Sequence, residues 1–274
     1  MKKILGTFFL VSGTLACATE ILHPVLPPQT RFSTGAAAEL RDDMYSADMQ
    51  LSAEFAPGKN FSIYADGSFR FLSYSYEYSR KGYIHNYCNL HVNGFNETYL
   101  GIKIAPFLEG ALRPLGINIS WRFPPGEGSQ TERFHRLGIE PFYAYAFSDF
   151  LMLGAAFRYN RFLEQDHYAP GDEIGARLSF SWKFRWDTQT KTGWIFDETF
   201  LWQARIGESE NLHLAKPYRK MKDNYQGIRT KFEVARYFSL FSNQLGFGLN
   251  YEINQGTLFG FETGHRLGLF INIR

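Results

Sequence analysis

Basic side chains occupy alternate positions in one stretch of this chain, where they would line a wet surface. Residues 175–186 read G-A-R-L-S-F-S-W-K-F-R-W, so Arg177, Lys183 and Arg185 alternate with aliphatic and aromatic residues. Successive side chains of a β-strand point to opposite faces, so this segment has one apolar face and one polar face. Lipid against the apolar face and an aqueous interior against the charged face satisfy both.

Further charged residues share this inward phase elsewhere in the chain. The basic set is Arg122, Arg158, Arg177, Arg205, Arg229 and Lys231. The acidic set is Glu39, Asp48, Glu252 and Glu262. In a closed barrel the two sets are expected to face each other across the lumen. The transverse field between them would orient small polar solutes, zwitterionic or anionic ones above all.

A filled interior is the alternative to this open lumen. A barrel of about twelve strands is only moderately wider than one of eight, whose side chains fill it, so the two charged sets could pair and close the lumen. Glycines on the inward phase favour the open reading, because they leave room for a solute or an inward-folded loop. These glycines are Gly246, Gly248, Gly260, Gly264 and Gly268.

The elements that would hold these charges are short alternating segments of about 9–13 residues each, the length of a tilted membrane strand. The twelve segments are 32–41, 45–55, 61–74, 97–106, 115–123, 137–147, 151–160, 174–186, 194–206, 227–238, 244–254 and 258–274. They predict an all-β fold, a transmembrane antiparallel up-and-down β-barrel of about 12 strands (10–14).

The connections between segments alternate in length. Links after even-numbered segments are short, and several after odd-numbered ones are long. The long ones are 79–96, 124–136, 162–172 and 208–225. Short periplasmic turns opposite long extracellular loops place both termini in the periplasm. Aromatic belts are then expected at the two rims. At the periplasmic rim they comprise Tyr143, Tyr145, Phe147, Trp182, Phe184, Trp186, Trp194 and Phe196, and at the outer rim Trp121 and Phe123.

The N-terminus carries the pattern of a secretory signal. Lys2 and Lys3 precede the apolar run 4–15, and Ala16-Cys17-Ala18 offers a cleavage site. We expect residues 1–18 to be a signal peptide, 19–29 a short periplasmic leader and 30–274 the barrel. The mature chain is then near neutral, which gives no support to nucleic-acid binding. It keeps one cysteine, so no intramolecular disulfide can form.

The alternation and the aromatic belts resemble those of bacterial outer-membrane β-barrels, the porin-like class. The opposed charged sets resemble the constriction of general porins. This resemblance implies an integral outer-membrane protein that passively admits small polar solutes without a cofactor. We expect the barrel to be a monomer, although many porins are trimers. Its partners would be outer-membrane lipid, lipopolysaccharide and the barrel-assembly machinery. The chain departs from the class in ending F-I-N-I-R instead of in an aromatic residue.

Two other functions stay open. A lipid-acting hydrolase would need a nucleophile and a base in contact. His265 is the outward-facing candidate base, but no outward serine lies on the neighbouring strand and there is no G-x-S-x-G motif. We therefore expect no catalytic residues. A structural or adhesive barrel would act through its long loops, 79–96 and 208–225 above all.

Two loops have side chains that could bind ligands. His85, Cys88 and His91 have a spacing that could gather zinc or copper, but a fourth ligand is not evident, so we expect no metal. The basic residues of the loop 208–225 are expected to be solvated, and contact with lipopolysaccharide is the alternative. They are Lys216, Arg219, Lys220 and Lys222.

Overall fold

The computed structural model describes residues 21–41, 44–77, 87–107, 109–123, 134–163, 168–211, 220–222, 225–241, 243–256 and 263–274. The strands are β1 Arg31–Arg41, β2 Met44–Gly58, β3 Phe61–Glu77, β4 Tyr87–Ile104, β5 Leu115–Phe123, β6 Arg136–Ala146, β7 Leu151–Phe162, β8 Tyr168–Ala169, β9 Asp172–Asp187, β10 Thr192–Ile206, β11 Glu208–Asn211, β12 Lys220–Lys222, β13 Gln226–Leu240, β14 Asn243–Gln255 and β15 Gly264–Ile273. No helix in these ranges is long and apolar enough to cross a membrane.

Twelve of the strands form a closed antiparallel barrel. Each pairs with the barrel strands before and after it in the chain, and β1 closes the ring on β15. The three short strands β8, β11 and β12 form a separate sheet. The prediction of an all-β, up-and-down barrel of about twelve strands is confirmed. We call the end that carries the short connections 59–60, 147–150 and 188–191 the turn end, and the opposite end the loop end.

The two faces of the barrel wall differ as the alternation predicts. On β9, Leu178 is 57% exposed on the outside, whereas its neighbour Arg177 is 8% exposed on the inside. On β15, Leu267 and Arg266 show the same contrast. An apolar exterior around a polar interior is the arrangement of a barrel embedded in lipid. The chain is therefore a barrel of the outer-membrane class.

Aromatic side chains form clusters at both rims, as expected from the sequence. At the turn end the rings of Tyr143 and Tyr145 stack with centroids 6.2 Å apart, and those of Phe184 and Trp194 with centroids 6.1 Å apart. At the loop end Trp121 Nε1 donates a hydrogen bond to His135 Nδ1 at 3.0 Å. Such rings, apolar in the body and polar at the edge, suit the boundary between lipid and water.

Part of the predicted loop 79–96 is strand, because β4 begins at Tyr87 and not at residue 97. Gly67 pairs with Thr98, and Phe69 pairs with Phe95. An advance of two residues along β3 therefore corresponds to three residues along β4, which has one extra residue here. The extra residue of this β-bulge reverses the inward and outward phase of β4, and the alternation is broken there. The predicted loops 162–172 and 208–225 also contain strands, namely β8, β11 and β12.

A second bulge turns Trp186 into the lumen. Arg185 has a left-handed backbone with φ of 48°, and β9 gains one residue relative to β10 at this point. The ring of Trp186 therefore packs against Tyr237 on the inner wall, with centroids 6.2 Å apart. The prediction that Trp186 belongs to the lipid-facing belt at the periplasmic rim is wrong, because a bulge reverses the phase of every residue after it.

The inward glycines of β14 are covered by aromatic rings from neighbouring strands. A Cβ on Gly246 would lie 2.5 Å from the Tyr237 ring, and one on Gly248 would lie 2.4 Å from the Phe270 ring. The expectation that these two glycines leave space for a solute is wrong. They let large inward rings lie flat against the wall, a device that stabilises curved sheets.

Candidate functional site: the lumen

The segment before β1 lies inside the barrel. Leu22 is 1% exposed and Val25 is 2% exposed, although neither belongs to a strand. The backbones of both residues contact inward-facing side chains, Leu22 that of Lys231 and Val25 that of Ser179. We call residues 21–30 the leader segment. The expectation that residues 19–29 lie outside the barrel is wrong for the part that the structure describes.

His23 of the leader segment spans the lumen. Its Nε2 lies 3.3 Å from Asp66 Oδ1 on β3 and 3.3 Å from Ser52 Oγ on β2. Its carbonyl oxygen accepts a hydrogen bond from Arg177 Nη1 on β9, nearly opposite in the ring of strands, at 3.0 Å. Burial lowers the pKa of the imidazole; Arg31 adds to this effect, whereas Asp66 opposes it. A single residue thus joins both walls.

The remaining contacts of the leader segment go largely to its backbone. Lys231 Nζ donates to the carbonyl oxygen of Leu22 at 3.0 Å, and the amide of Val25 donates to Ser179 Oγ at 3.0 Å. The Val25 side chain packs with Phe142 and Ala144. The Val25 side chain therefore occupies a defined pocket on the wall, and the Leu22 side chain is buried.

The lumen side of β1–β3 and β13–β15 carries a balanced set of charges towards the loop end. Arg70 donates two hydrogen bonds to Asp48, from Nε at 2.6 Å and from Nη2 at 2.9 Å. Arg266 Nη2 lies 2.7 Å from Asp48 Oδ2, and Arg229 Nη2 lies 2.9 Å from Glu252 Oε1. We call this set the neutral cluster. It comprises Glu39, Asp48, Arg70, Arg229, Glu252 and Arg266, three arginines with three acids.

The wall from β5 to β10 carries an excess of arginine at the same end. Glu140 accepts hydrogen bonds from Arg158 Nε, at 2.7 Å, and from Arg177 Nη2. Glu173 lies 3.4 Å from Arg136 Nη1 and 3.3 Å from Arg205 Nη2. We call this set the basic cluster. Its members are Arg122, Arg136, Glu140, Arg158, Glu173, Arg177 and Arg205, so five arginines and two glutamates give it a formal charge of +3.

The basic residues chosen from the sequence all lie on the inner wall. Arg122, Arg158, Arg177, Arg229 and Lys231 are buried there, and Arg205 is largely buried. The basic and acidic residues are not separated onto opposite walls as expected, because Arg229 pairs with Glu252 on the adjacent strand. For Arg229, the expectation that the basic and acidic sets face each other across the lumen is wrong.

Three of the four acids chosen from the sequence also lie on the inner wall. Glu39, Asp48 and Glu252 are buried in the neutral cluster, and Glu262 lies outside the described residues. Lining a pathway for solutes stays a prediction for both charged sets. The geometry fixes only where these side chains lie and which groups they contact.

Several lumen residues were missed by the sequence reasoning. Arg136 and Glu173 fall one residue outside the predicted segments, and Arg70 and Glu140 sit on the inward phase of segments that were predicted correctly. Inward phase alone was therefore a sufficient signal for Arg70 and Glu140. No pattern in the sequence distinguished His23, because the leader segment has no alternation to read.

The space left around the leader segment is small. A cavity of about 40 Å³ lies against His23, Asp197 and Lys231, and one of about 30 Å³ lies against Val25, Lys103 and other residues of β3–β9. One water needs about 10–15 Å³ measured in this way, so each cavity holds a few waters. Neither admits a solute while the leader segment is in place.

The turn end of the lumen is partly closed by the C-terminal residue. The guanidinium of Arg274 lies over the Tyr237 ring, 4.9 Å from its centroid, and 3.9 Å from Asp197 Oδ2. The backbone of Arg274 exchanges two hydrogen bonds with Gln244, at 2.9 and 3.0 Å. The final residue therefore extends the β14–β15 pairing and turns its side chain inward.

His265 lies on the outer face, as predicted, beside a phenol. Its Nδ1 is 2.7 Å from the hydroxyl oxygen of Tyr251, and the two rings stack with centroids 6.2 Å apart. This contact supplies no serine nucleophile for the hydrolase interpretation. A Tyr–His pair at a lipid-facing rim is typical of an interfacial aromatic belt.

The two ligand-binding loops suggested by the sequence are not tested. His85 lies outside the described residues, and only the backbone of Cys88 and His91 is described. Within the described residues no group of three or more His, Cys, Asp or Glu side chains could hold a metal ion. Of the basic loop, Lys216 and Arg219 lie outside the described residues.

No protein-family model matches the chain, and no curated protein matches its sequence. Among solved structures, the NanC porin has a TM-score of 0.49 at 9% identity, over 87% of this chain and 98% of that one. The translocator domain of the autotransporter NalP from Neisseria meningitidis has a TM-score of 0.49 at 9% identity, over 100% of this chain and 97% of that one. The KdgM porin in complex with disordered oligogalacturonate has a TM-score of 0.43 at 10% identity, over 87% of this chain and 97% of that one.

Proposed function

We propose that this barrel is a gated pore of the outer membrane for small polar solutes, closed in the present state by its own leader segment. The observation that carries this proposal is the position of His23, which bridges opposite walls without being part of either. A barrier made of a segment that belongs to no strand can leave the lumen, whereas a barrier made of wall side chains cannot.

The surface behind the leader segment supports a pore that opens. Ser52, Asp66, Ser179, Arg177 and Lys231 line the wall at this level. Water can solvate all of these polar groups when the segment leaves. Opening would also expose the apolar pocket of Phe142 and Ala144 that Val25 now covers.

The basic cluster suggests which solutes the pore admits. It carries an excess of three positive charges on the wall facing the neutral cluster. Charge on one wall of a narrow, low-dielectric passage concentrates ions of the opposite sign. We propose that small anionic solutes pass more readily than cationic ones, with the turn end in the periplasm and the loop end outside the cell.

Conductance in a planar bilayer tests this proposal directly. The mature chain, residues 19–274, is compared with a variant that lacks residues 19–29 and with the intact chain carrying Leu22→Asp and Val25→Asp. We expect infrequent openings of the first protein, and discrete steps with an anion-selective reversal potential from both variants. Heat-dependent migration on gels confirms that each barrel is folded. Folded variants that are as silent as the intact chain overturn the proposal.

The separate sheet supports loop-mediated binding as a second candidate function. In this sheet β11 pairs with β8 through Glu210 and Ala169, and with β12 through Glu208 and Lys222. Ordered strands in connections that a pore does not require favour a surface that binds a partner. Deleting residues 208–222 would then abolish binding to cells or surfaces and leave conductance unchanged. Equal binding by both proteins rules out this function for the sheet.

A further inference from the structure

We infer that the lumen contains a binding site for short extended peptides, which the leader segment occupies in the closed state. The inference rests on the proposed function, in that the leader segment must be able to leave. It adds a ligand class: polypeptide in extended conformation, entering the seats that residues 22–26 now fill.

The first argument is that the wall binds backbone atoms. Lys231 and Arg177 donate to two consecutive carbonyl oxygens, those of Leu22 and His23. Ser179 Oγ accepts from the amide of Val25, and Glu54 Oε1 accepts from the amide of Gln29 at 3.4 Å. Cationic donors meet carbonyls and oxygen acceptors meet amides, so the pattern matches a peptide backbone of any sequence.

The second argument is that two apolar side chains of the leader segment are buried in the lumen. Gly154 lies directly beneath Val25, since a Cβ added there would be 2.6 Å from Val25 Cβ and 2.9 Å from its carbonyl oxygen. Phe142 and Ala144 complete this pocket. Leu22 is buried as deeply, three residues earlier. A ligand therefore needs a branched apolar side chain at the position of Val25 and an apolar side chain three residues earlier.

The third argument concerns the positions between and after the seats. Pro24, Pro27 and Pro28 have no amide hydrogen, so they bring no donor that the lumen must satisfy. Proline also keeps the chain extended, which lowers the entropy lost on binding. The preferred ligands are thus proline-containing extended peptides with a Leu-x-x-Val spacing, and charged side chains are disfavoured in the two seats.

Peptide binding is measured on the intact mature chain carrying Leu22→Asp and Val25→Asp, which leaves the seats empty. The probe is a synthetic peptide of residues 20–30 with a fluorescent label at its C-terminus, and the readout is fluorescence anisotropy in detergent. We expect saturable binding that weakens at least tenfold when the peptide itself carries Val25→Asp. A peptide that keeps Leu22, Val25 and the prolines but has alanine elsewhere should bind within tenfold of the parent.

Variants of the wall separate a specific site from adsorption to the barrel. Arg177→Met with Lys231→Met removes both carbonyl donors and should weaken binding at least tenfold. Arg236→Met is the matched control, because Arg236 lies on the outer face beside Trp194. Equal binding by these two variants, or equal binding of the parent and Val25→Asp peptides, overturns the inference. If the chain carrying Leu22→Asp and Val25→Asp does not fold, the variant that lacks residues 19–29 takes its place as the protein with an empty lumen.

The outcomes for peptide binding and for conductance are distinguishable. Binding without conductance in the same variant preserves the peptide site and refutes the pore. Conductance without binding preserves the pore and refutes the peptide site. When both hold, the parent peptide should also reduce the conductance of the variant at the concentrations at which it binds.

Discussion

The two halves of the lumen are closed in different ways. Towards the loop end, the neutral and basic clusters consist of side chains fixed on the strands, and pairs such as Arg70–Asp48 join adjacent strands. The leader segment enters from the turn end and closes the space between the walls, and His23 contacts both, including Arg177 of the basic cluster. The first half strengthens the wall of the barrel, whereas the second is filled by a segment that belongs to no strand.

The ion-pair clusters and the leader segment also differ in the free energies that hold them in place. Removing one member of a buried ion pair leaves an uncompensated charge and costs about 3–5 kcal/mol. Burying a Leu or Val side chain contributes about 1.5–3 kcal/mol, and fixing one residue of an extended segment costs about 1–2 kcal/mol of backbone entropy. The ion-pair clusters are therefore part of the stability of the fold, whereas the backbone entropy of the leader segment opposes its docking.

The largest expected effect is on stability, from breaking the neutral cluster. Asp48→Asn removes the carboxylate that Arg70 and Arg266 share, so we expect the free energy of unfolding to fall by about 3–5 kcal/mol. Urea titration of the refolded barrel measures this change. Asp172→Asn is the matched control, because Asp172 pairs with Arg161, which is 64% exposed, and should cost less than about 1 kcal/mol. Similar losses in both variants would contradict the structural role of the cluster.

The next effect is on gating, from a change beneath the leader segment. Gly154→Ala places a Cβ 2.6 Å from that of Val25 and 2.5 Å from Ser179 Oγ. Overpacking of this kind costs about 1–3 kcal/mol, so the open probability in a bilayer should rise about tenfold. Gly94→Ala is the control, since a Cβ at Gly94 meets nothing within 4 Å. An unchanged open probability in Gly154→Ala would show that the seat of Val25 does not hold the gate.

A smaller effect is expected on ion selectivity, from the basic cluster. In the variant without residues 19–29, adding Arg158→Gln and Arg205→Gln lowers the formal charge of the cluster from +3 to +1. The reversal potential in a salt gradient should shift towards zero, with the barrel still folded. Arg236→Gln on the outer face should leave it unchanged. The same reversal potential with and without the two substitutions would remove these arginines from the solute pathway.

The smallest effect is a pH dependence of gating. Because the pKa of docked His23 lies below its usual 6.5, the released segment binds the proton more tightly than the docked one. Docking is therefore favoured above about pH 6.5 and weakens as the pH falls below that value. Asp66 limits the effect by favouring the charged imidazole, whereas Arg31 and Lys231 increase it. We expect more openings at pH 5 than at pH 7.5, and His23→Gln should abolish the difference. An equal pH response in His23→Gln would assign it to other groups.

The alternation of the chain determined the barrel and both of its faces. Whether Leu178 meets lipid and Arg177 meets the lumen depends only on their neighbouring positions in one strand, so local pattern was enough. Connection lengths and rim aromatics such as Tyr143 and Trp121 are local in the same way. For this reason the strand number and the positions of the chosen basic residues agree with the structure.

Only the tertiary structure decided how the charges pair and what fills the lumen. Arg229 joins Glu252 because of the register between β13 and β14, and Trp186 turns inward because of a bulge at Arg185. The leader segment has no periodicity, so its place between Asp66 and Arg177 arises from contacts with residues far away in the chain. Side-chain alternation is a property of one strand, whereas register, bulges and the contents of the lumen exist only once the ring of twelve strands is closed.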